Sequence, residues 1–218
     1  YKLKDVYGGP GYTNADAEAA IRAAGLKYEV IEPIEPKIAE LLSQSFVVAR
    51  FEGRMEFGPR ALGHRSILYM ARDPQVNNWL NKRLKRTEFM PFAPSTLYEA
   101  AEQCFEGVSG AHHSAQYMTI TFDCTPYFKE HCPAAVHVDG TARPQLVRQD
   151  TSPSYYRIID EFRKITGVPS IINTSFNMHE EPIVMSPEDA VRSFMDGHLD
   201  YLAIENCLVK NPNLDTKR

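Results

Sequence analysis

The sequence predicts a mixed α/β fold, a twisted mixed β-sheet flanked by helices, and three observations carry that expectation. Short apolar runs alternate with capped, helix-like stretches along the chain. Some neighbouring strand candidates have connections too short for a crossover helix, so the sheet should not be purely parallel. The chain has 218 residues, 43% of them hydrophobic, which suffices for a real core.

The elements follow in order. Thr13, Asn14, Ala15 and Asp16 read as the cap of an Ala-rich helix that Gly25 terminates. Residues 35–44 read as a second short helix. Residues 46–51 (Phe-Val-Val-Ala-Arg-Phe) are mostly apolar and read as a central strand running into a glycine-rich loop at 53–58. Pro59 suggests the first position of a helical turn over 58–62, and 66–70 returns as a strand. Asp73 and Pro74 look like an N-cap and first turn, with the helix running to about Leu84 and Trp79 and Leu80 facing inward. Pro91 and Pro94 forbid helix over 89–94. A short helix is expected at 99–105, a polar loop at 107–113, and a strand at 117–122 from its alternation. Residues 135–138 and 144–148 read as strands around an Asp-Gly turn. Ser152 and Pro153 open the clearest helix, with Tyr155, Ile158, Ile159, Phe162 and Ile165 on one apolar face and Gly167 at its end. A strand over 168–172 leads into Asn173-Thr174-Ser175-Phe176-Asn177. Ser186 to Asp189 cap the last helix, and strands at 199–204 and 208–210 close the sheet.

No internal repeat or low-complexity linker divides the chain. One domain over 1–210 is expected, with a frayed tail at 211–218. The net charge of −4 argues against a general nucleic-acid binder. No apolar run reaches the roughly 20 residues of a membrane span, and no secretory signal is present, so a cytoplasmic setting is expected. The first residue is Tyr1, which suggests a fragment or processed piece. Four cysteines without a Cys-x-x-Cys pair read as reduced thiols. The spacing of Cys124, His131, Cys132 and His137 matches no usual zinc finger.

Four constellations carry chemistry. The first is 53–68 (Gly-Arg-Met-Glu-Phe-Gly-Pro-Arg-Ala-Leu-Gly-His-Arg-Ser-Ile-Leu). Arginine forks on glycine backbone match phosphate or carboxylate oxygens. Arg54, Glu56, Arg60, His64, Arg65 and Ser66 are its candidates. Glu56 would orient the arginines by salt bridges, and flanking positive charge makes it a poor general base. His64 either donates to a phosphate or makes a structural hydrogen bond. The second, 81–88, packs Lys82, Arg83, Lys85 and Arg86 at a helix end before a Pro-x-x-Pro segment. The third spans 139–145, where Arg143 and Gln145 share a strand face. The fourth is the cup of short polar side chains at Asn173, Thr174, Ser175 and Asn177, followed by Glu181-Pro182-Ile183. None is a P-loop, a Rossmann fingerprint or a nucleophile elbow. Chemistry on such sites rests on positioning and on electrostatic stabilisation of phosphates.

Segments 7–12, 53–68, 91–95, 137–145, 173–177 and 181–184, in this order, resemble the C-terminal domain of O-carbamoyltransferases of the nodulation-protein-U and antibiotic-tailoring type. The resemblance runs to about Lys210. It implies a YrdC-like domain with a concave, positively charged face. Such a domain uses carbamoyl phosphate and ATP, with Mg2+ accompanying the nucleotide, to make carbamoyl-adenylate, and needs no protein-bound metal. An N-terminal sugar-kinase/actin-like domain would pass the carbamoyl group to a small-molecule acceptor, so the chain alone is expected not to carbamoylate one. By the resemblance, Arg60, Arg65, Lys85 and Arg86 are catalytic. Arg54, Glu56, His64, Ser66, Lys82, Arg143, Gln145, Asn173, Ser175 and Asn177 would bind substrate. Two departures stand out: Met90 where the family often has Arg, and Glu180 where it often has Gly. The rivals are a threonylcarbamoyl-adenylate synthase, a nucleotide- or RNA-binding module, and a purely structural docking domain.

Overall fold

The computed structural model describes residues 3–85 and 92–214. Eight strands form one mixed sheet. They are β1 (Glu29–Val30), β2 (Val48–Phe51), β3 (Arg65–Met70), β4 (Ala93–Leu97), β7 (Gln145–Val147), β8 (Ser170–Ser175), β9 (Tyr201–Ile204) and β10 (Cys207–Lys210). Their spatial order is β1-β10-β9-β2-β3-β8-β4-β7. The pairs β2–β9 and β4–β7 are parallel and the others antiparallel. The mixed sheet expected from the short connections is therefore present. β5 (Phe122–Asp123) and β6 (Thr141–Ala142) form a separate two-stranded ribbon.

Local chemistry sets the helix ends. In α1 (Asn14–Ala23) Thr13 and Asp16 cap each other's backbone amides, and Ser186 and Asp189 do the same for α8 (Pro187–Asp196). In α7 (Pro153–Thr166) Pro153 opens the helix and Gly167 closes it at φ +77°. Helix α2 (Glu35–Ser43) packs along α7, which also touches β4 and β8, while α1 packs on α8 beside β9 and β10. Ile38, Leu42, Ile158, Ile159 and Phe162 are buried in the core they share with the sheet. Ile165, expected on that apolar face, is exposed.

Several sequence expectations fail for local reasons. Residues 58–60 form bends and 61–62 run irregularly rather than as a helical turn, because Asn173 and Gln145 of the sheet hold the Ala61 and Leu62 carbonyls and Glu56 of the loop holds the Leu62 amide. The expected strand at 117–122 shrinks to β5, since Met118 at φ +55° breaks the extended path. Residues 135–138 form no strand; Pro133–Ala135 is a 3-10 turn instead. Helix α3 (Val76–Arg83) starts after Asp73, whose carboxylate accepts from Gln75 N and Trp79 Nε1. Asn211, expected to fray, is buried and donates from Nδ2 to Leu199 O at 2.8 Å. Residues 212–214 turn back on it, with Leu214 N donating to Asn211 O at 3.1 Å, and the end of the expected tail, 215–218, lies outside the described residues, as do Arg86, Met90 and Pro91.

All four cysteines are free and buried, and burial pushes the Cys104 thiol up to about 12 and Cys124 up to about 11. Among the described residues no group of three or more His, Cys, Asp or Glu side chains comes together to hold a metal. No described helix is long and apolar enough to cross a membrane.

Candidate anion site

The first constellation is the connection between the central strands β2 and β3, which pair antiparallel from Phe51↔Arg65 to Val48↔Leu68. The register puts one row of polar side chains on a single sheet face. Arg50 opposes Ser66, Leu68 opposes Asn173, Asn173 opposes Ala93, and Ser95 opposes Gln145. With side chains alternating along each strand, Arg50, Ser66, Asn173, Ser95 and Gln145 all point to that face. They are buried, so each needs a partner.

The loop supplies the partners. Arg50 Nη1 donates to Gly63 O, and Gly63 N donates to Ser66 Oγ at 2.9 Å. Asn173 Nδ2 donates to Ala61 O at 3.1 Å, and Gln145 Nε2 donates to Leu62 O at 2.8 Å. Ser95 Oγ donates to Gln145 Oε1 at 2.8 Å, which also accepts from Asn173 Nδ2 at 3.0 Å. Gly63 lies at φ +108°, and a Cβ there would sit 2.2 Å from Tyr155 Cδ1 on α7. Only glycine lets the loop lie flat between the sheet and that ring.

Glu56 fastens the same loop from within. It is 4% exposed, and Oε1 accepts from Leu62 N at 2.7 Å, His64 N at 2.7 Å and Arg65 N at 3.2 Å. It forms no ion pair among the described residues, so the salt bridges expected of it are replaced by backbone amides. Arg65 is fully buried on the opposite sheet face, its guanidinium 3.5 Å from the centroid of the Phe51 ring. Nη1 donates to Glu52 O and His64 O, and Nη2 to Gly53 O and Pro10 O. Burial pulls its pKa down to about 10. Arg54 laces the loop to the N-terminal segment, donating to Gly9 O at 3.0 Å and Gly8 O at 2.7 Å.

His64 closes the base of the loop. Its ring stacks on Tyr7 with centroids 3.8 Å apart. Nδ1 lies 2.8 Å from Arg54 O, a pure acceptor, so Nδ1 carries the proton. Nε2 then accepts from Ser152 Oγ at 3.2 Å. Burial, helped by Arg50, lowers the His64 pKa below its ordinary value, so the ring is neutral near pH 7. The neighbouring Glu52 is opposed by burial, yet Arg50, paired with it at 3.0 Å, holds its carboxyl below the usual range. Glu205 behaves oppositely: burial and the Glu52 charge raise it to about 7, while Oε1 accepts from Gly53 N at 2.9 Å.

Two arginines are left for a ligand. Arg60 is exposed on the loop, and Arg143 follows the turn in which His137 Nδ1 lies 3.0 Å from Thr141 Oγ1. Neither forms a hydrogen bond or an ion pair among the described residues. Arg143 Nε is buried without a partner. Burial, then the positive charge of Arg60, lowers the Arg143 pKa. Guanidiniums left without a carboxylate partner suit an anion.

The other candidates lie apart. Lys82 and Lys85 are exposed at the end of α3, which is tied to the 177–181 turn by His179 N donating to Leu84 O at 3.2 Å. In that turn Ser175 Oγ donates to Asn177 Oδ1 at 2.7 Å, and Asn177 Nδ2 to Glu181 O at 2.7 Å. These contacts make a local turn of the kind short polar side chains favour. The structure thus gives Glu56, Arg65, Ser66, Gln145 and Asn173 a building part, and leaves Arg60 and Arg143 free. Sequence reasoning gave Arg50, Glu52, Tyr7, Ser95 and Ser152 no part in the site. Arg50 stood out as a charged residue inside an apolar strand, and Tyr7 and Ser95 lie in the resembling segments 7–12 and 91–95.

The carbamoyltransferase C-terminus family matches residues 39–211. An uncharacterised protein of Methanocaldococcus jannaschii is 42% identical over 95% of this chain and 35% of its own. Nodulation protein NolNO of Sinorhizobium fredii is 38% identical over 96% of this chain and 31% of its own. The chain thus spans about a third of the length of these curated relatives. Among solved structures, full-length HypF in its phosphate- and nucleotide-bound form shares the fold, with a TM-score of 0.57 and 19% identity over 81% of this chain and 25% of that one. T. kodakarensis HypF gives a TM-score of 0.56 at 20% identity, covering 80% of this chain and 21% of that one. The chain belongs to the carbamoyltransferase C-terminus family.

Proposed function

We propose that this chain is the activating part of an O-carbamoyltransferase, making carbamoyl-adenylate from carbamoyl phosphate and ATP on a YrdC-like, positively charged face. The observation that carries the reading is that Arg60, exposed on the loop, and Arg143, whose Nε is buried without a partner, form no hydrogen bond or ion pair among the described residues. Family membership gives the carbamoyl chemistry. The phosphate- and nucleotide-bound state of HypF, which shares the fold, supports a nucleotide substrate.

The chemistry balances as follows. Water displaces phosphate from carbamoyl phosphate, leaving carbamate. A carbamate oxygen attacks the α-phosphorus of ATP, and the bond to the bridging oxygen breaks as pyrophosphate leaves, accompanied by Mg2+. The reactants are both anions, so their repulsion opposes the encounter. Arg60 and Arg143 offset it and stabilise the charge that gathers on the leaving pyrophosphate. Arg65, Glu56, Ser66, Gln145 and Asn173 act by holding the loop, so Arg60 projects without reorganisation. Transfer from the adenylate to an acceptor hydroxyl belongs to sequence outside this chain, in a protein of the length of its relatives.

The test is pyrophosphate release from ATP with and without carbamoyl phosphate, for the chain and for Arg60→Ala and Arg143→Ala. Release that requires carbamoyl phosphate and is lost in both variants is the expected result. Release unchanged in both variants would remove the arginine pair from the mechanism.

A further inference from the structure

The loop that presents Arg60 also presents an aromatic ring. Phe57, three residues earlier, is 83% exposed. Val138, on the turn leading to Arg143, is fully exposed. A single exposed apolar side chain calls for no explanation. Phe57 is set apart by its surroundings. Its own amide donates to Val6 O at 2.7 Å, and the residue before it, Glu56, is buried and holds three amides. The backbone on this side is clamped at the Phe57 amide. Three residues of chain span at most roughly 11 Å between Cα atoms, so the Phe57 ring and the Arg60 side chain project from one short stretch of the loop.

We propose that Phe57 is a stacking platform for the base of the bound nucleotide, with Arg60 and Arg143 on its phosphates. The inference rests on the anion site described above and adds the part that selects a nucleotide over a bare polyphosphate. Bases stack on an exposed aromatic face regardless of their edge pattern. Phe57 has no donor or acceptor to read that edge. The platform therefore favours the larger purines over pyrimidines and distinguishes adenine poorly from guanine.

The experiment is calorimetric titration of the chain, of Phe57→Ala and of Phe57→Trp with Mg-ATP and with tripolyphosphate. Phe57→Ala should weaken ATP roughly tenfold to a hundredfold and leave tripolyphosphate unchanged. Phe57→Trp should restore ATP binding, and its added fluorescence should be quenched by ATP but not by tripolyphosphate. Equal weakening of both ligands, or of neither, overturns the platform. If the parent chain binds tripolyphosphate as tightly as ATP, the anion site stands and the platform falls. If it binds neither, the anion site fails and takes the platform with it.

Discussion

Replacing Glu56 should loosen the anion loop more than removing any of its arginines. Its Oε1 accepts three amides, Leu62 N, His64 N and Arg65 N, two of them at 2.7 Å. Glu56→Ala leaves those donors in a buried site, and each costs about 1–3 kcal/mol when unpaired. The simple sum is about 3–9 kcal/mol. Two effects favour its lower end. Glu56 Oε2 is itself buried without a partner, so removing the carboxylate relieves a desolvation cost. The three amides are neighbours and do not add independently. A loss of about 3 kcal/mol is expected, against a total stability of about 5–15 kcal/mol for a typical domain. Glu56→Gln keeps one acceptor oxygen, loses the charge and turns the unpartnered Oε2 into a buried NH2, so it should cost about 1–3 kcal/mol, since charge-assisted bonds are roughly twice as strong as neutral ones and an unpaired buried donor adds its own penalty. Urea unfolding measures both, and the midpoint should fall at constant slope. Amide exchange at Leu62, His64 and Arg65 should accelerate in Glu56→Ala before global unfolding. An Ala variant within about 0.5 kcal/mol of the parent, with those amides still protected, would refute the clamp.

Two further predictions test neighbouring features. Glu205 is raised from 4.5 to about 7, so between these values the folded chain holds a proton that the unfolded chain has released. Stability from this group is therefore complete below pH 4.5 and falls as pH rises to about 7. Glu205→Gln keeps an acceptor for Gly53 N, and its melting temperature should gain on the parent between pH 5 and 8. The gain should be about 1–2 kcal/mol after allowance for solvent screening at this half-buried site; a pH-independent difference would count against it. Glu180 sits at φ +61° with its side chain exposed, a conformation that suits the Gly often found there in the family. Glu180→Gly should stabilise the chain by about 0.5–1 kcal/mol in urea, and a loss would show that the strained backbone is not what limits this turn.

Local chemistry was legible in the sequence because it depends on residues a few positions apart. The Thr13–Asp16 and Ser186–Asp189 boxes, the Pro153 start and the Gly167 stop all formed where their spacing predicted. The mixed sheet followed from connection lengths, and the glycine-rich loop does leave the end of a central strand. The reading failed where the deciding contact is distant or conformational. Alternation at 117–122 could not reveal the positive φ of Met118, and Pro59 could not reveal that the sheet holds the carbonyls of Ala61 and Leu62.

Arginines, a glutamate, a histidine and glycines gather in one loop of the chain, and that alone is enough to expect an anion site there. Which of those charges bond the protein and which stay without a partner depends on the tertiary fold. Strand register aligned Ser66, Asn173 and Gln145 with Arg50 beneath the loop, and burial obliged each to bond the backbone above it. Arg65 was taken by carbonyls for the same reason. Arg60 and Arg143 come from segments far apart in the chain, and the fold leaves both without a hydrogen-bond or ion-pair partner among the described residues. A buried polar group must find its hydrogen bonds within the protein, whereas an exposed one can wait for a ligand, and burial is a property of the fold.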